Sequence, residues 1–504
     1  MIRRGLPRVK NSRTGDRRTY QVEKEMLTHY NISQERNTSS LFGNVDRVAL
    51  GLYLALVFAG IISITSASYD ESVGSIFSLQ HNYMKQLIWA GIASVFAIVV
   101  LLLDRRLFHM FAMPAYIAGI GLLVMCLLFG REVNGAKAWF EFGGIRVQPV
   151  EFAKIATAMM MARVMSDYSF NIKRLPDLIK VAGVIALPLG IIILQNDTGS
   201  GLVLCSFLFV LYREGITKYI YFPVLFTAAL FITSFIFTPV VIFTTLIILF
   251  TAYSALKTGA LIGHVRFLAT ILLVSLLLSL LTPMSGYASL MVVCGIAAVV
   301  LTAVALKTRA LMLLWPIAMF VYAMLFVPTC DMLFTKLEPH QQNRILTFVG
   351  MKEDPKGIDF NVNQSQIAIG SGGLAGKGFM DGTQIKYGYV PEKHTDFIFC
   401  VVGEEWGFMG TLTIIALYIA LILRLMKMGE RIKEPFGRVY CYSVASILLF
   451  HVWVNVGMTI GLMPVMGIPL PLMSYGGSSL VAFTILIMTA LRLDASTDDK
   501  NIYM

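Results

Sequence analysis

Residues 85–129 read KQLIWAGIASVFAIVVLLL, then DRR, then LFHMFAMPAYIAGIGLLVMCLLF. Two apolar runs, each of about 20 residues and so long enough to cross a bilayer as a helix, are divided by Asp104-Arg105-Arg106 alone. This is the pattern of a helical hairpin with its charged turn in water. It sets the fold class, because runs of the same kind recur along almost the whole chain. Of 504 residues, 57% are apolar and 14% charged, with a mean hydropathy of +0.72. Soluble domains run at about 45–50% and about 25%. A β-barrel would instead alternate polar and apolar residues over short segments. The composition describes an all-α, polytopic integral membrane protein.

Fourteen spans are expected, near 46–68, 85–103, 107–129, 151–166, 180–195, 200–213, 219–237, 239–255, 266–282, 287–306, 310–327, 397–424, 439–461 and 475–492. The stretches at 180–195 and 200–213 are short and read as tilted or broken helices. Residues 1–45 form a polar, basic tail, expected to be disordered, with no apolar run of the kind a signal peptide needs. Basic residues concentrate in cytoplasmic loops, so they orient the chain. With the N-terminus inside, 29 of the 41 Lys and Arg fall on the cytoplasmic side, among them Arg105, Arg106, Lys173, Arg174, Lys307, Arg309, Lys427, Arg431 and Lys433. The chain is therefore read as N-in and C-in, with residues 493–504 a cytoplasmic tail. The basic tail is a normal flank for such a protein, and no nucleic-acid partner is expected. Cys126, Cys205, Cys294, Cys330, Cys400 and Cys441 are scattered without CxxC or His/Cys spacing, so a zinc site or disulfide framework is not expected.

This orientation leaves residues 329–396 outside as one long loop. Loops of that length are functional or disordered, and its varied punctuation favours function. Its seven Lys/Arg against eight Asp/Glu nearly cancel, so any anion site must come from local clustering.

The loop opens with Gln341-Gln342-Asn343-Arg344-Ile345-Leu346 and passes through Glu353-Asp354-Pro355 to Asn363-Gln364-Ser365-Gln366 and Gly370-Ser371-Gly372-Gly373. Gly376-Lys377-Gly378, Gly382-Thr383-Gln384 and Pro391-Glu392-Lys393-His394-Thr395-Asp396 follow. Further on stand Asn455-Val456-Gly457, Gly467-Ile468-Pro469-Leu470-Pro471 and Ser474-Tyr475-Gly476-Gly477-Ser478. Upstream, Gly135-Ala136-Lys137-Ala138-Trp139, Gln148-Pro149-Val150-Glu151 and Gln195-Asn196-Asp197-Thr198-Gly199 belong to the same series. Together these resemble the SEDS family (shape, elongation, division and sporulation). The Gly-Thr-Gln after the glycine-rich run leans to its RodA branch over its FtsW branch. The resemblance covers roughly residues 46–237 and 329–492. Val150 stands where the family has Ser, and Asn196 and Thr198 depart from its Gln-Pro-Asp-Leu-Gly.

The family has ten spans, so the resemblance implies a ten-helix core. Its first part would be 46–237 and its last 397–492, with about four helices inserted over 238–328. An even insertion leaves the 329–396 loop outside as the catalytic loop. The implied activity is an inverting peptidoglycan glycosyltransferase of the bacterial inner membrane, serving elongation and shape. One GlcNAc 4-hydroxyl of the lipid-linked precursor lipid II attacks C1 of another molecule's MurNAc, and undecaprenyl pyrophosphate leaves. A single inversion needs no second carboxylate nucleophile. A class B penicillin-binding protein, a transpeptidase, is the implied partner, since the chain has no transpeptidase motif of its own. A lipid-precursor flippase or a scaffold without chemistry are the competing classes. The absence of internal self-similarity argues against the inverted repeats of a transporter.

Such a reaction needs a base for the hydroxyl and positive charge near the leaving phosphates. Asp396, between the loop and apolar Phe397-Ile398-Phe399, is the candidate base, and its bland reading is a helix N-cap. His394 reads as a steering or substrate contact, or as a surface histidine. Glu151 and Lys154, three apart and so on one helix face, read as substrate-binding groups inside the membrane or as a structural ion pair. Trp139 stacks on a sugar or anchors at the headgroups. Arg344 and Lys377 are phosphate candidates or solvated loop charges. Gln364 is a further substrate-binding candidate from the family motif. Gly370–Gly378 lacks the Ser/Thr and the strand–helix frame of a P-loop, so a turn with backbone close to substrate is expected there. Asp197 is read as holding a polar turn, and Glu404 and Glu405 as lining the cavity or pairing with a neighbouring span. A pyrophosphate leaving group suits help from a divalent cation, Mg or Mn, but no ligand cluster stands out. No other cofactor is expected.

Overall fold

The computed structural model describes residues 45–68, 81–133, 135–142, 145–216, 221–258, 261–281, 286–307, 309, 313–337, 342, 346 and 358–498. The expected tail at 1–45, but for Val45, and the candidate Arg344 lie outside the described residues.

The hairpin that opened the sequence is α2 (Asn82–Leu102) and α3 (Arg105–Phe129), preceded by α1 (Arg47–Ser68). Asp104 caps α3 by accepting from the Arg106 N–H at 2.9 Å. A small antiparallel sheet follows, in the order β1 (Arg131–Val133), β2 (Ala136–Phe142) and β3 (Ile145–Val147). It is an addition to the all-α expectation, made by alternating residues such as Lys137, Trp139 and Glu141 that an apolar-run reading passes over. Pro149 sits in the first turn of α4 (Pro149–Met165), where its missing N–H costs nothing. Then come α5 (Leu175–Leu194), the short α6 (Thr198–Leu204) and α7 (Phe207–Arg213), and α8 (Tyr221–Ile236). Next are α9 (Pro239–Thr258), α10 (Leu261–Leu281), α11 (Gly286–Lys307) and α12 (Leu314–Lys336). The outer loop contributes α13 (Ile358–Ser371) and α14 (Thr383–Lys386), and α15 (Ile398–Arg431), α16 (Pro435–Thr459) and α17 (Gly477–Asp498) close the chain.

All fourteen expected apolar segments are helical, but ten helices among the described residues are long and apolar enough to cross a membrane. The rest depart for physical reasons. At 17 residues, α4 reaches only about 26 Å at 1.5 Å per residue. The 200–213 segment breaks at Cys205-Ser206 into two seven-residue helices. The 16 residues of α8 and the apolar stretch Arg266–Leu281 of α10 are also short.

Beside a small cluster around Ala298, Ala305 and Ile317, two larger apolar cores are separate among the described residues. The main one draws on α1–α7 and α13–α17, with Tyr418, Tyr440, Phe207 and Phe397 fully buried. The other, around Phe243, Ile271, Leu290, Ala323 and Val327, is built from α8–α12 alone. At the cytoplasmic end, ion pairs bind the helices of the main bundle. Asp46 takes Arg424 at 2.8 Å and also Arg431, which pairs with Asp494. Arg438 grips Glu214 with two bonds, 2.9 and 2.8 Å long.

The 34-residue α15 is two helices joined at Gly407, whose φ of +62° and ψ of −158° leave the helical region. The kink frees backbone groups, and the glycine-rich loop takes them up. Phe408 N–H donates to the Gly373 carbonyl at 2.9 Å and Met409 N–H to Leu374 at 3.2 Å. In return Lys377 and Gly378 N–H donate to the carbonyls of Glu404 and Glu405, both at 3.0 Å. The glycine-rich segment thus lays its backbone against a helix kink. A Cβ at Gly407 would come within 2.4 Å of the Gly376 nitrogen, so only glycine fits. We expect Gly407→Ala to lower the melting temperature in detergent sharply, strain of this kind costing about 1–3 kcal/mol before the clash is counted. Gly121→Ala, on a helix with open space around it, should be neutral or stabilising.

Candidate functional site

Between α16 and α17 the chain does not go straight out to water. Residues 461–476 re-enter the bundle as irregular backbone. Leu472 and Gly467 take positive φ values of +67° and +66°. A Cβ on Gly60, in the middle of α1, would lie 2.6 Å from the Met473 Cα. Non-helical backbone at membrane depth survives only where protein satisfies its polar groups. Here the Tyr418 hydroxyl donates to the Pro471 carbonyl. Asn455 Nδ2 donates to Ile468 at 2.8 Å, and the Ser474 hydroxyl accepts from Leu470 N–H at 2.8 Å.

The Pro391–Phe397 turn rests on this segment. Ser474 Oγ donates to the Thr395 carbonyl at 2.7 Å, Asn455 Nδ2 to the Asp396 carbonyl at 2.8 Å, and Tyr475 N–H to the His394 carbonyl at 2.8 Å. The Asp396 carboxylate faces Gly467, where a Cβ would stand 3.7 Å from its Oδ2. The capping position of α15 belongs to Phe397, one residue beyond Asp396, so the helix does not hold Asp396 as its N-cap. The half-buried His394 ring lies 5.7 Å from that of Tyr475. Burial holds the His394 imidazole below its ordinary value; Glu392 pulls the other way and Lys393 adds to the lowering.

Arg146, on β3, is close enough to Tyr475 to act on its hydroxyl, and its side chain is 56% exposed beside Glu141 at 3.6 Å. Sequence reading passed it over, though it stands two residues before Gln148-Pro149. Gln148 anchors this side, its Nε2 donating to Asp197 Oδ2 at 3.2 Å while Asp197 Oδ1 accepts from Ser200 N–H and caps α6. The polar-turn reading of Asp197 matches that geometry. Trp139 is half-buried on β2, opposite Arg131 in the ladder. Gln364 is half-buried on α13, next to Ser365, whose hydroxyl donates to the Thr459 carbonyl at the end of α16.

Three other candidates, Lys377, Glu151 and Lys154, are engaged in ion pairs. Lys377 spends its charge on Glu404 at 2.7 Å and also donates to Thr383 Oγ1 at 2.8 Å. Glu404 in turn accepts the Gln384 and Ile385 N–H groups at 2.9 and 3.0 Å. Glu404 therefore pairs with the outer loop, two helical turns beyond Asp396, and Ser66 of α1 donates to Glu405. Glu151 and Lys154 pair at 3.0 Å with both side chains only 3% exposed. Lys154 Nζ also meets His451 Nε2 at 3.0 Å, a partner that sequence reading did not name. Among the described residues no group of three or more His, Cys, Asp or Glu is placed to hold a metal ion. No step below is routed through one.

The family model described as FTSW_RODA_SPOVE, cell cycle protein, matches residues 46–254 and 230–499. The chain belongs to that family. It is 33% identical over 451 residues to the peptidoglycan glycosyltransferase RodA of Treponema pallidum, covering 88% of this chain and 96% of that one. It is 30% identical over 443 residues to the peptidoglycan glycosyltransferase MrdB of Escherichia coli K12, covering 87% and 90%. In fold it is similar to Thermus thermophilus RodA, with a TM-score of 0.52, 23% identity, and 90% of this chain and 98% of that chain covered. A chain of a peptidoglycan synthase complex that coordinates polymerization and crosslinking gives a TM-score of 0.55 at 24% identity, with the same coverage.

A histidine held below its unfolded value takes up a proton on unfolding, so stability rises with pH in the interval below about 6.5. The chain should therefore gain melting temperature as pH rises toward about 6.5. His394→Gln should flatten that slope; an unchanged slope would show that His394 is not held neutral.

Proposed function

We propose that this chain, a multi-pass protein of the bacterial cytoplasmic membrane and a peptidoglycan glycosyltransferase, polymerises lipid II with Asp396 as general base. The observation that carries the reading is the placement of Asp396. Its backbone is clamped by Asn455 and by the neighbouring Ser474–Thr395 bond, while its carboxylate faces a glycine that adds no side chain. A base must keep its geometry while a large substrate enters, and this clamp holds the main chain that carries the carboxylate.

In this mechanism Asp396 takes the proton of the GlcNAc 4-hydroxyl as the oxygen attacks C1 of the donor MurNAc from the face opposite the pyrophosphate. The C1–O bond breaks, undecaprenyl pyrophosphate leaves, and the linkage inverts from α to β-1,4. His394, neutral at pH 7, contacts the acceptor sugar through a ring nitrogen. Arg146 and Arg344 supply the positive charge for the leaving phosphates, as guanidinium suits phosphate oxygens. Trp139 offers a face to a sugar ring and Gln364 a polar contact. Lys377, committed to Glu404, shapes the loop.

The partner we propose is a class B penicillin-binding protein, since a polymerase without transpeptidase chemistry needs one to cross-link its strands. The four inserted helices, 238–328 by sequence, are peripheral: they share the separate core of α8–α12, and the two family matches overlap at 230–254, where that unit begins. Phe243→Ala, inside that core, should lower thermal stability by about 3–5 kcal/mol. The turnover of the folded fraction should stay within about twofold, since additivity holds between distant sites.

Asp396→Asn keeps the size of the side chain and removes the proton acceptor. We expect a folded protein that still binds lipid II and whose glycan polymerisation falls by about 10²–10⁴. Polymerisation within a few-fold of wild type would remove Asp396 as the base.

A further inference from the structure

On one face of α16, at intervals of one turn, stand His451, Asn455 and Thr459, exposed by 1%, 0% and 0%. All three serve the outer site. Thr459 receives α13 through Ser365, and Asn455 bridges Asp396 to Ile468. His451 also reaches in two directions. Its Nδ1 lies 3.2 Å from the Pro469 carbonyl and its Nε2 lies 3.0 Å from Lys154 Nζ. Lys154 also holds Glu151 and sits 5.1 Å from the centre of the Phe483 ring.

The atoms permit one arrangement of protons. A carbonyl only accepts, so Nδ1 carries the hydrogen; the ammonium of Lys154 only donates, so Nε2 presents its lone pair. A doubly protonated ring would set an N–H against the ammonium in a buried place. His451 is thus a neutral Nδ1–H tautomer joining a buried ion pair on α4 to the carbonyl next to Ile468, itself bound to the Asn455 that holds Asp396.

We infer that His451 is a positioning residue that ties the re-entrant segment, and with it the floor of the Asp396 site, to the buried Glu151–Lys154 pair. This rests on the reading of Asp396 as the reacting centre. Its consequence is that the ion pair acts on turnover from beneath, through the register of residues 467–475 against Asp396.

The test compares the full-length protein in detergent with His451→Phe, His451→Asn, His451→Gln and Lys154→Met. It measures hydrogen–deuterium exchange over residues 466–476 alongside kcat and KM for lipid II. Lys154 touches no residue of that segment directly, yet Lys154→Met should speed exchange there by about tenfold, as His451→Phe does. His451→Phe should lower kcat at least about tenfold with KM little changed, as a loss confined to the transition state requires. Asn restores only the donor to Pro469 and Gln only the acceptor for Lys154, so neither should rescue alone. Unchanged exchange in Lys154→Met, or full rescue by Asn, would overturn the link. Should His451→Phe fail to fold, the Lys154→Met exchange still decides. Exchange is read without catalysis, so activity retained by Asp396→Asn would sink the base assignment and leave this result standing.

Discussion

The interaction on which the rest of the site depends is the satisfaction of irregular backbone at membrane depth. Residues 461–476 carry carbonyls and amides that lipid cannot solvate, and each unpaired group there costs several kcal/mol. Tyr418, His451, Asn455 and Ser474 meet that demand from three directions. Because these side chains come from α15, α16 and the segment itself, pairing the backbone also sets the position of those elements. Asn455 does this twice: one amide group donates to the Ile468 and the Asp396 carbonyls, so the irregular segment and the backbone of the Pro391–Phe397 turn share an anchor.

A second joint works by the same rule near the outer surface. Gly407 breaks α15, and the backbone groups released are paired with the glycine-rich loop, while the Glu404 carboxylate collects Lys377, Thr383 and two amides. Ser371 is a fifth donor at 3.4 Å, and these bonds hold the buried carboxylate in one position. The charge of Lys377 is then a structural element of the loop.

Much of this was legible in the chain. Apolar run length located the long helices of the bundle, because crossing a bilayer imposes a length that sequence displays, but not α13, which lies in the expected loop. Asp396 stood out as a carboxylate between a polar loop and an apolar run. The failures also have physical reasons. The β-sheet is short and alternating, and was absorbed into a loop. Lys377 and Glu404 are 27 residues apart, and their pairing depends on a kink at Gly407 that periodicity does not reveal. His451 looked like any polar residue in an apolar helix, since its partners lie on α4 and in the re-entrant segment. The recurrence of His451, Asn455 and Thr459 at four-residue spacing was nonetheless a readable signal of one polar face.

The separate core of α8–α12 follows from the same solvent. In water, an apolar helical unit would be driven onto the main bundle to hide its surface. In lipid that drive is absent, and helices associate only through close packing and hydrogen bonds. A unit with its own packed interior, Phe243 against Tyr287 and Phe320, then has no energetic need of the main core. The bilayer therefore permits a separately packed helical unit in the same chain as the main core, whose own constraint, the satisfied backbone of residues 461–476, is met elsewhere.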